Sequence, residues 1–218
     1  MIRHELIKKV ALKMDEISSS DDVIVSVDAG DNNPLYTQIN GLINESINEV
    51  LAKAPISRIS LNQIIQTSGY TEDLVYSKNR TVPMIAMPND FLRLVSIDDD
   101  KFQRPITELA VEGDEISKRQ HNRFLMAKSA KPVGVVSADG LSGARVIKCY
   151  SYDPKDTPNP TMLYVKRFDG ELDESREINL DDYILNVASW VCAGKVFSSR
   201  GDVNNSKACD DNAVALMF

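Results

Sequence analysis

The chain has 218 residues, 43% hydrophobic and 26% charged, a balance ordinary for one globular domain or for one domain carrying a large insertion. Its net charge of −7 and pI near 4.9 argue against a sequence-reading nucleic-acid binder, which would carry a basic face. No apolar run has bilayer length, and the amphipathic N-terminus contains acids and no apolar h-region, so neither a membrane span nor a signal peptide is expected.

Ile2 to Ile17 places Leu6, Ile7, Val10, Leu12, Met14 and Ile17 at the spacing of an amphipathic helix, which Ser18 to Asp22 ends. Val23 to Val27 is a short β-branched run, and Asp28 to Asn33 is a polar loop. That loop has some look of a Ca²⁺ loop. However, the place of its bidentate Glu is taken by Gln38 or Ile39, so turn chemistry is the expectation. Leu35 to Ala54 is the most regular stretch, with Leu35, Ile39, Leu42, Ile43, Ile47, Val50, Leu51 and Ala54 on one helical stripe. Pro34 suits the first turn, Asn33 can cap it, and Pro55 blocks continuation.

Ser60 to Thr67 is too short to assign. Leu74 to Tyr76, Val82 to Met87 and Phe91 to Ile97 read as strands, the last two forming a pair across a turn at Pro88-Asn89-Asp90. After a turn at Asp98 to Lys101, Arg104 to Leu109 reads as a returning strand. Val111 to Met126 is polar and mixed in sign, compatible with a helix on the outside of this region. Val133 to Ala138 and Ala144 to Tyr152 form a hairpin across Asp139 to Gly143, and Thr161 to Phe168 is a strand after the proline-rich loop Asp153 to Pro160. Asp169 to Asp182 then sets seven acids against Arg176, and Asp181 and Asp182 suit the positive start of a helix.

Leu180 to Ser198 is the second major helix. Tyr183, Val187 and Val191 lie on one face with Leu180, Ile184 and Ala188; Leu185, Cys192 and Val196 make a second, which Trp190 and Phe197 widen. A helix apolar around most of its circumference belongs in a core or an interface, so Tyr183, Val187, Trp190, Val191 and Phe197 are the candidate core or intersubunit residues. Beyond Gly201 the tail is polar until Ala213 to Phe218. There Val214, Leu216, Met217 and Phe218 form either a strap on their own core or an anchor on a neighbouring subunit.

The pattern predicts an α+β fold: an antiparallel helical bundle carrying a β-rich insertion. The expected parts are N-terminal bundle helices over 1–55, the β-rich insertion over 56–168, an acidic segment with the late bundle helix over 169–200, and a C-terminal docking tail over 201–218. The three cysteines, Cys149, Cys192 and Cys209, have no C-x-x-C spacing and leave one unpaired in any disulfide scheme. They read as reduced structural thiols of a protein that folds in a cytosol.

Catalytic chemistry is sparse. His4 and His121 have no partner at a metal-ligand spacing, and no G-x-S-x-G occurs. Gly140-Leu141-Ser142-Gly143 lacks the Lys-Ser/Thr of a phosphate loop and reads as a hairpin turn; the acidic run reads as a solvated face. No catalytic, cofactor-binding or metal-ligating residue is assigned, and no cofactor is expected.

Three stretches together resemble a known family. The first is VDAGDNNPLYTQINGLINESINEVLAKAP, an acidic loop and long helix ending in Ala-Pro. The second is VPMIAMPNDFLRLVSIDDD, similar to an aliphatic-Pro-x-Asp-Phe-Leu-Arg segment, and the third is YSYDP at a strand end. The order of parts over residues 22 to 200 resembles the head-to-tail connector (adaptor or ring) proteins and tail tubular proteins of short-tailed bacteriophages, closest in character to ring proteins of crAss-like phages. The resemblance implies a structural, non-enzymatic virion protein assembled in the host cytoplasm. It would form a ring, twelve-fold in such proteins, stacked below the portal protein, touching neighbouring tail or ring proteins and lining a channel. Genomic DNA would pass through that channel without sequence-specific binding. Two other readings stand beside it: a small hydrolase using the acidic segment and His121, and a monomeric binding module whose β insertion recognises another protein.

Overall fold

A computed structural model of the chain describes residues 1–17, 34–73, 82–122, 124–138, 143–152, 157–170 and 177–217. The turn Ser18 to Asp22, the β-branched run Val23 to Val27, the loop Asp28 to Asn33, the strand Leu74 to Tyr76, the hairpin tip Asp139 to Ser142, residues 171–176 of the acidic run, and Phe218 lie outside the described residues. The fold is mixed α+β, and the chain divides into two compact units: Met1–Leu61 with Arg167–Phe218, and Asn62–Lys166.

The first unit is helical. Helix α1 (Arg3–Ile17) buries Leu6, Ile7, Val10 and Met14, and α2 (Pro34–Lys53) buries Ile39, Ile43, Ile47, Val50 and Leu51, the stripe that the spacing predicts. Pro34 is the first helical residue, and the ladder closes at Ala54, whose N–H donates to the Val50 carbonyl just before Pro55. Helix α4 (Asp182–Ser199) packs against α1, α2 and a further helix, α5 (Val203–Met217), which is why it is apolar on nearly every side. The sequence pattern treats residues 203–212 as a polar tail. They form a helix that buries only a narrow stripe, Cys209, Ala213 and Met217, against the rest of the unit.

A polar ladder complements this core. Asn40, Asn44 and Asn48 recur every fourth residue on α2 and so share a face. Asn48 pairs with both backbone groups of Phe168, at 2.7 and 2.8 Å, and Asn44 Nδ2 donates to the Gly170 carbonyl. The fully buried Arg3 donates to Asn40 Oδ1, to Asn44 Oδ1 at 2.8 Å and to the Asn40 carbonyl at 2.7 Å. Its guanidinium has no carboxylate at ion-pair distance among the described residues, and burial lowers its pKa.

The second unit is built of two sheets and a short helix. Strand β1 (Ile64–Ser68) pairs antiparallel with β8 (Thr161–Lys166), which pairs antiparallel with β4 (Phe91–Asp98) across two register shifts. The other sheet runs β2 (Thr71–Asp73), β3 (Val82–Ala86), β7 (Arg145–Tyr150), β6 (Val133–Ala138), β5 (Leu109–Val111), with only β5–β6 parallel. Inward residues of both sheets meet in one core: Ile85 and Ile147 from one, Ile97, Met162 and Tyr164 from the other.

Three expectations are corrected here. β3 and β4 do not pair: Pro88 to Phe91 is a corner that carries the chain from one sheet to the other, closed by the Phe91 N–H on the Pro88 carbonyl at 3.0 Å. Arg104 to Leu109 is not a strand. Pro105 has no N–H to donate, and pairing shrinks to one bridge, Ile97 with Ile106, before β5 begins. Among the described residues, Val111 to Met126 is helical only over α3 (Glu115–Gln120).

Candidate functional site

The residues singled out on α4 are set by how that helix begins and what surrounds it. Asp181 caps it, accepting from the Tyr183 N–H at 2.8 Å, and Asp182 adds negative charge to the first turn. Val187, Trp190, Val191 and Phe197 are buried within the helical unit, with Lys13 Nζ 4.6 Å from the Trp190 ring centre. They are the inside of a single copy. Tyr183 is half-buried at the margin, donating its hydroxyl to the Met217 carbonyl at 3.2 Å, with the Arg58 guanidinium 5.3 Å from its ring.

That bond joins the start of α4 to the end of α5. Gly194 lies against Ser206 and Cys209, so the two helices run antiparallel. A Cβ at Gly194 would come within 3.0 Å of Asp210 Oδ1 and 3.3 Å of the Cys209 Cβ, so this glycine sets how closely α5 approaches. Of the C-terminal candidates, Met217 is buried, as in a core strap, whereas Val214 and Leu216 are exposed. Val203, exposed as well, lies three turns before Val214 on the same flank of α5.

The three described cysteines are free and buried, and burial pushes each thiol up to about 12. Cys149 has Asp99 near it, a buried carboxylate that accepts from Tyr152 Oη at 2.8 Å, the Asn159 N–H at 2.6 Å and the Lys101 N–H at 2.9 Å. Burial and the bond to Asp99 raise the Tyr152 phenol far above its ordinary range. This knot ties β4 to the segment before β8, with a groove of about 380 Å³ beside it lined by Asp98, Asp100 and Thr161. Among the described residues no group of three or more His, Cys, Asp or Glu could hold a metal ion. His121 is exposed just after α3, and Asp173 of the acidic run lies outside the described residues.

Among the described residues the most exposed large apolar side chain, Phe124, lies just after α3, in the stretch that the sequence pattern leaves ambiguous. Asp114 precedes the helix and accepts from the Val111 N–H at 3.0 Å. Gln120, buried, donates to the Ile116 carbonyl at 2.8 Å and accepts from the Ala127 N–H at 2.9 Å, fixing the following loop. Inside that loop Asn122 Oδ1 accepts from the Phe124 N–H, and its carbonyl accepts from Leu125 and Met126. The turn therefore holds Phe124 (89% exposed) and Leu125 (59%) outward, and Leu125 lines a groove with Ile116. Two grooves of about 370 and 410 Å³ meet at Ile116, Lys131 and Val133. The sequence signal was the apolar run Phe124-Leu125-Met126 in a polar stretch, matching neither a helical nor a strand period.

Compared with known proteins, the chain matches no family model and no curated protein. Among the described residues no helix is long and apolar enough to cross a membrane.

Proposed function

We propose that this chain is a structural ring protein of a phage virion, part of the connector between portal and tail. In this reading the helical unit is an antiparallel bundle and the β-rich unit its insertion. The observation that carries the reading is the terminal helix. α5 buries Cys209, Ala213 and Met217 on its own unit and leaves Val203 and Val214 along one flank and Leu216 on the other in solvent. Apolar side chains recurring along a helix whose other face is already packed mark a contact surface. In a head-to-tail assembly such a surface meets a different surface of the next copy, and the contact closes into a ring when the rotation divides a full turn.

Copies then form a ring, twelve in number as the family resemblance suggests. The ring docks on the portal protein and meets neighbouring tail or ring proteins. The net charge of −7 suits a conduit that genomic DNA passes without sticking. The role assigned is structural, with no catalysis and no cofactor, in the virion after assembly in the host cytoplasm.

The test is the mass of the purified chain in solution, alone and mixed with the portal protein of the same phage. A discrete assembly many times 24.2 kDa in either condition is the expected result. A monomer in both conditions overturns the reading.

A further inference from the structure

We infer that the surface around α3 is a docking site for an acidic, apolar-anchored peptide segment of another protein. This assignment is independent of the ring reading.

Charge selects the occupant. The two grooves are lined by four cations, Arg104, Arg119, Lys128 and Lys131, against one carboxylate, Glu108. Arg119 is held by Glu115, whereas Arg104, Lys128 and Lys131 have no ion-pair partner among the described residues. A chain of net charge −7 thus concentrates unpaired positive charge where it also exposes Ile116 and Leu125. Apolar anchors rimmed by cations fit a segment that alternates large apolar residues with Asp or Glu: the anchors supply affinity and the rim supplies steering and orientation.

The mode is side-chain docking, and strand addition is disfavoured. β5 is the edge strand of its sheet, but it is three residues long, and the turn after it takes both backbone groups of Val111. Its N–H donates to Asp114 and its carbonyl accepts from the Asp114 N–H. The anchors also stand preformed, because the Gln120 and Asn122 hydrogen bonds fix the loop that carries them, so little ordering cost falls on binding.

The experiment is fluorescence anisotropy of the full chain with a labelled synthetic peptide of about 15 residues. The peptide carries leucine at every third or fourth position and glutamate elsewhere. Two controls replace glutamate by lysine or leucine by serine. The expected result is saturable binding of the acidic peptide alone, weaker at high salt, and weakened about tenfold or more by Lys131→Glu and by Leu125→Asp. Phe124→Ser serves as a third variant should either of those unfold. Absence of saturable binding, equal affinity of the folded variants, or equal binding of the lysine peptide overturns the inference. Sedimentation of the same variants separates it from self-association. Should the wild type be a large species that Leu125→Asp dissociates, with no peptide bound, the face is a contact between copies. The peptide site then falls while the ring reading stands.

Discussion

Helix α4 and the turn after α3 both gather large apolar residues, and the chain uses them in opposite ways. On α4, Ile184, Leu185, Val187, Trp190, Val191, Val196 and Phe197 are spread around a helix enclosed by three others, so each finds neighbours. On the turn, Phe124 and Leu125 stand exposed with their backbone held by Asn122, and Leu125 lines a groove with Arg119, Lys128 and Lys131. Burial here follows what surrounds an element, and hydrophobicity alone does not separate the two regions. Substitutions on α4 are therefore expected to change stability, and substitutions on the turn to change only what the surface meets.

The largest effect is expected from Trp190→Ala. The ring is 8% exposed within the helical unit, and truncation leaves a cavity costing about 3–5 kcal/mol, read as a lowered denaturant midpoint. An unchanged midpoint would remove α4 from the core and erase the contrast with the turn. Gly194→Val comes next. Its Cβ would meet Asp210 Oδ1 at 3.0 Å and Cys209 Cβ at 3.3 Å, so α5 must shift, at about 1–3 kcal/mol. Retention of wild-type stability would mean that α5 does not depend on this close approach.

Titration sharpens the same comparison. Burial lifts the thiols of Cys149, Cys192 and Cys209 from about 9 to about 12. Below pH 9 the thiols are protonated in both the folded and unfolded chain and contribute no pH dependence. Above it the unfolded chain binds fewer protons than the folded one, so stability is lost progressively from pH 9 towards 12. The urea midpoint should fall over that range, and a thiol reagent at pH 8 should label no cysteine until the chain unfolds. Rapid labelling of the native chain would show that these thiols are not in a closed interior.

Much of the helical unit was legible because period and breakers agree: the stripe from Leu35 to Ala54 ends where Pro34 and Pro55 allow. The β region was legible strand by strand but not in its pairing. The proximity of Val82–Met87 to Phe91–Ile97 suggests a hairpin, whereas the inward residues Ile85 and Ile97 belong to facing sheets. Pairing is a long-range choice that local propensity does not encode. Arg3 and the Asn40-Asn44-Asn48 ladder escaped for a different reason: an apolar-stripe reading discounts polar residues, which here are satisfied only by groups distant in the chain. α5 escaped because its buried stripe is three residues wide. The α3 surface escaped because the short run Phe124-Leu125-Met126 has no period to read.

The smallest expected effect is on the turn, and it carries the comparison furthest. Phe124→Ser removes a ring that is 89% exposed and leaves the Asn122 and Gln120 hydrogen bonds in place, so folding stability should stay within about 0.5 kcal/mol of wild type. A loss comparable to that at Trp190 would mean that Phe124 is covered in the folded protein, either by a second copy or by another part of the chain. Repeating the unfolding at several protein concentrations tells these apart. A copy-to-copy cover gives a midpoint that rises with concentration, and an internal cover gives one that does not move. A neutral result leaves a large, exposed apolar side chain that the fold does not need; stability then offers no reason for its exposure, and binding does.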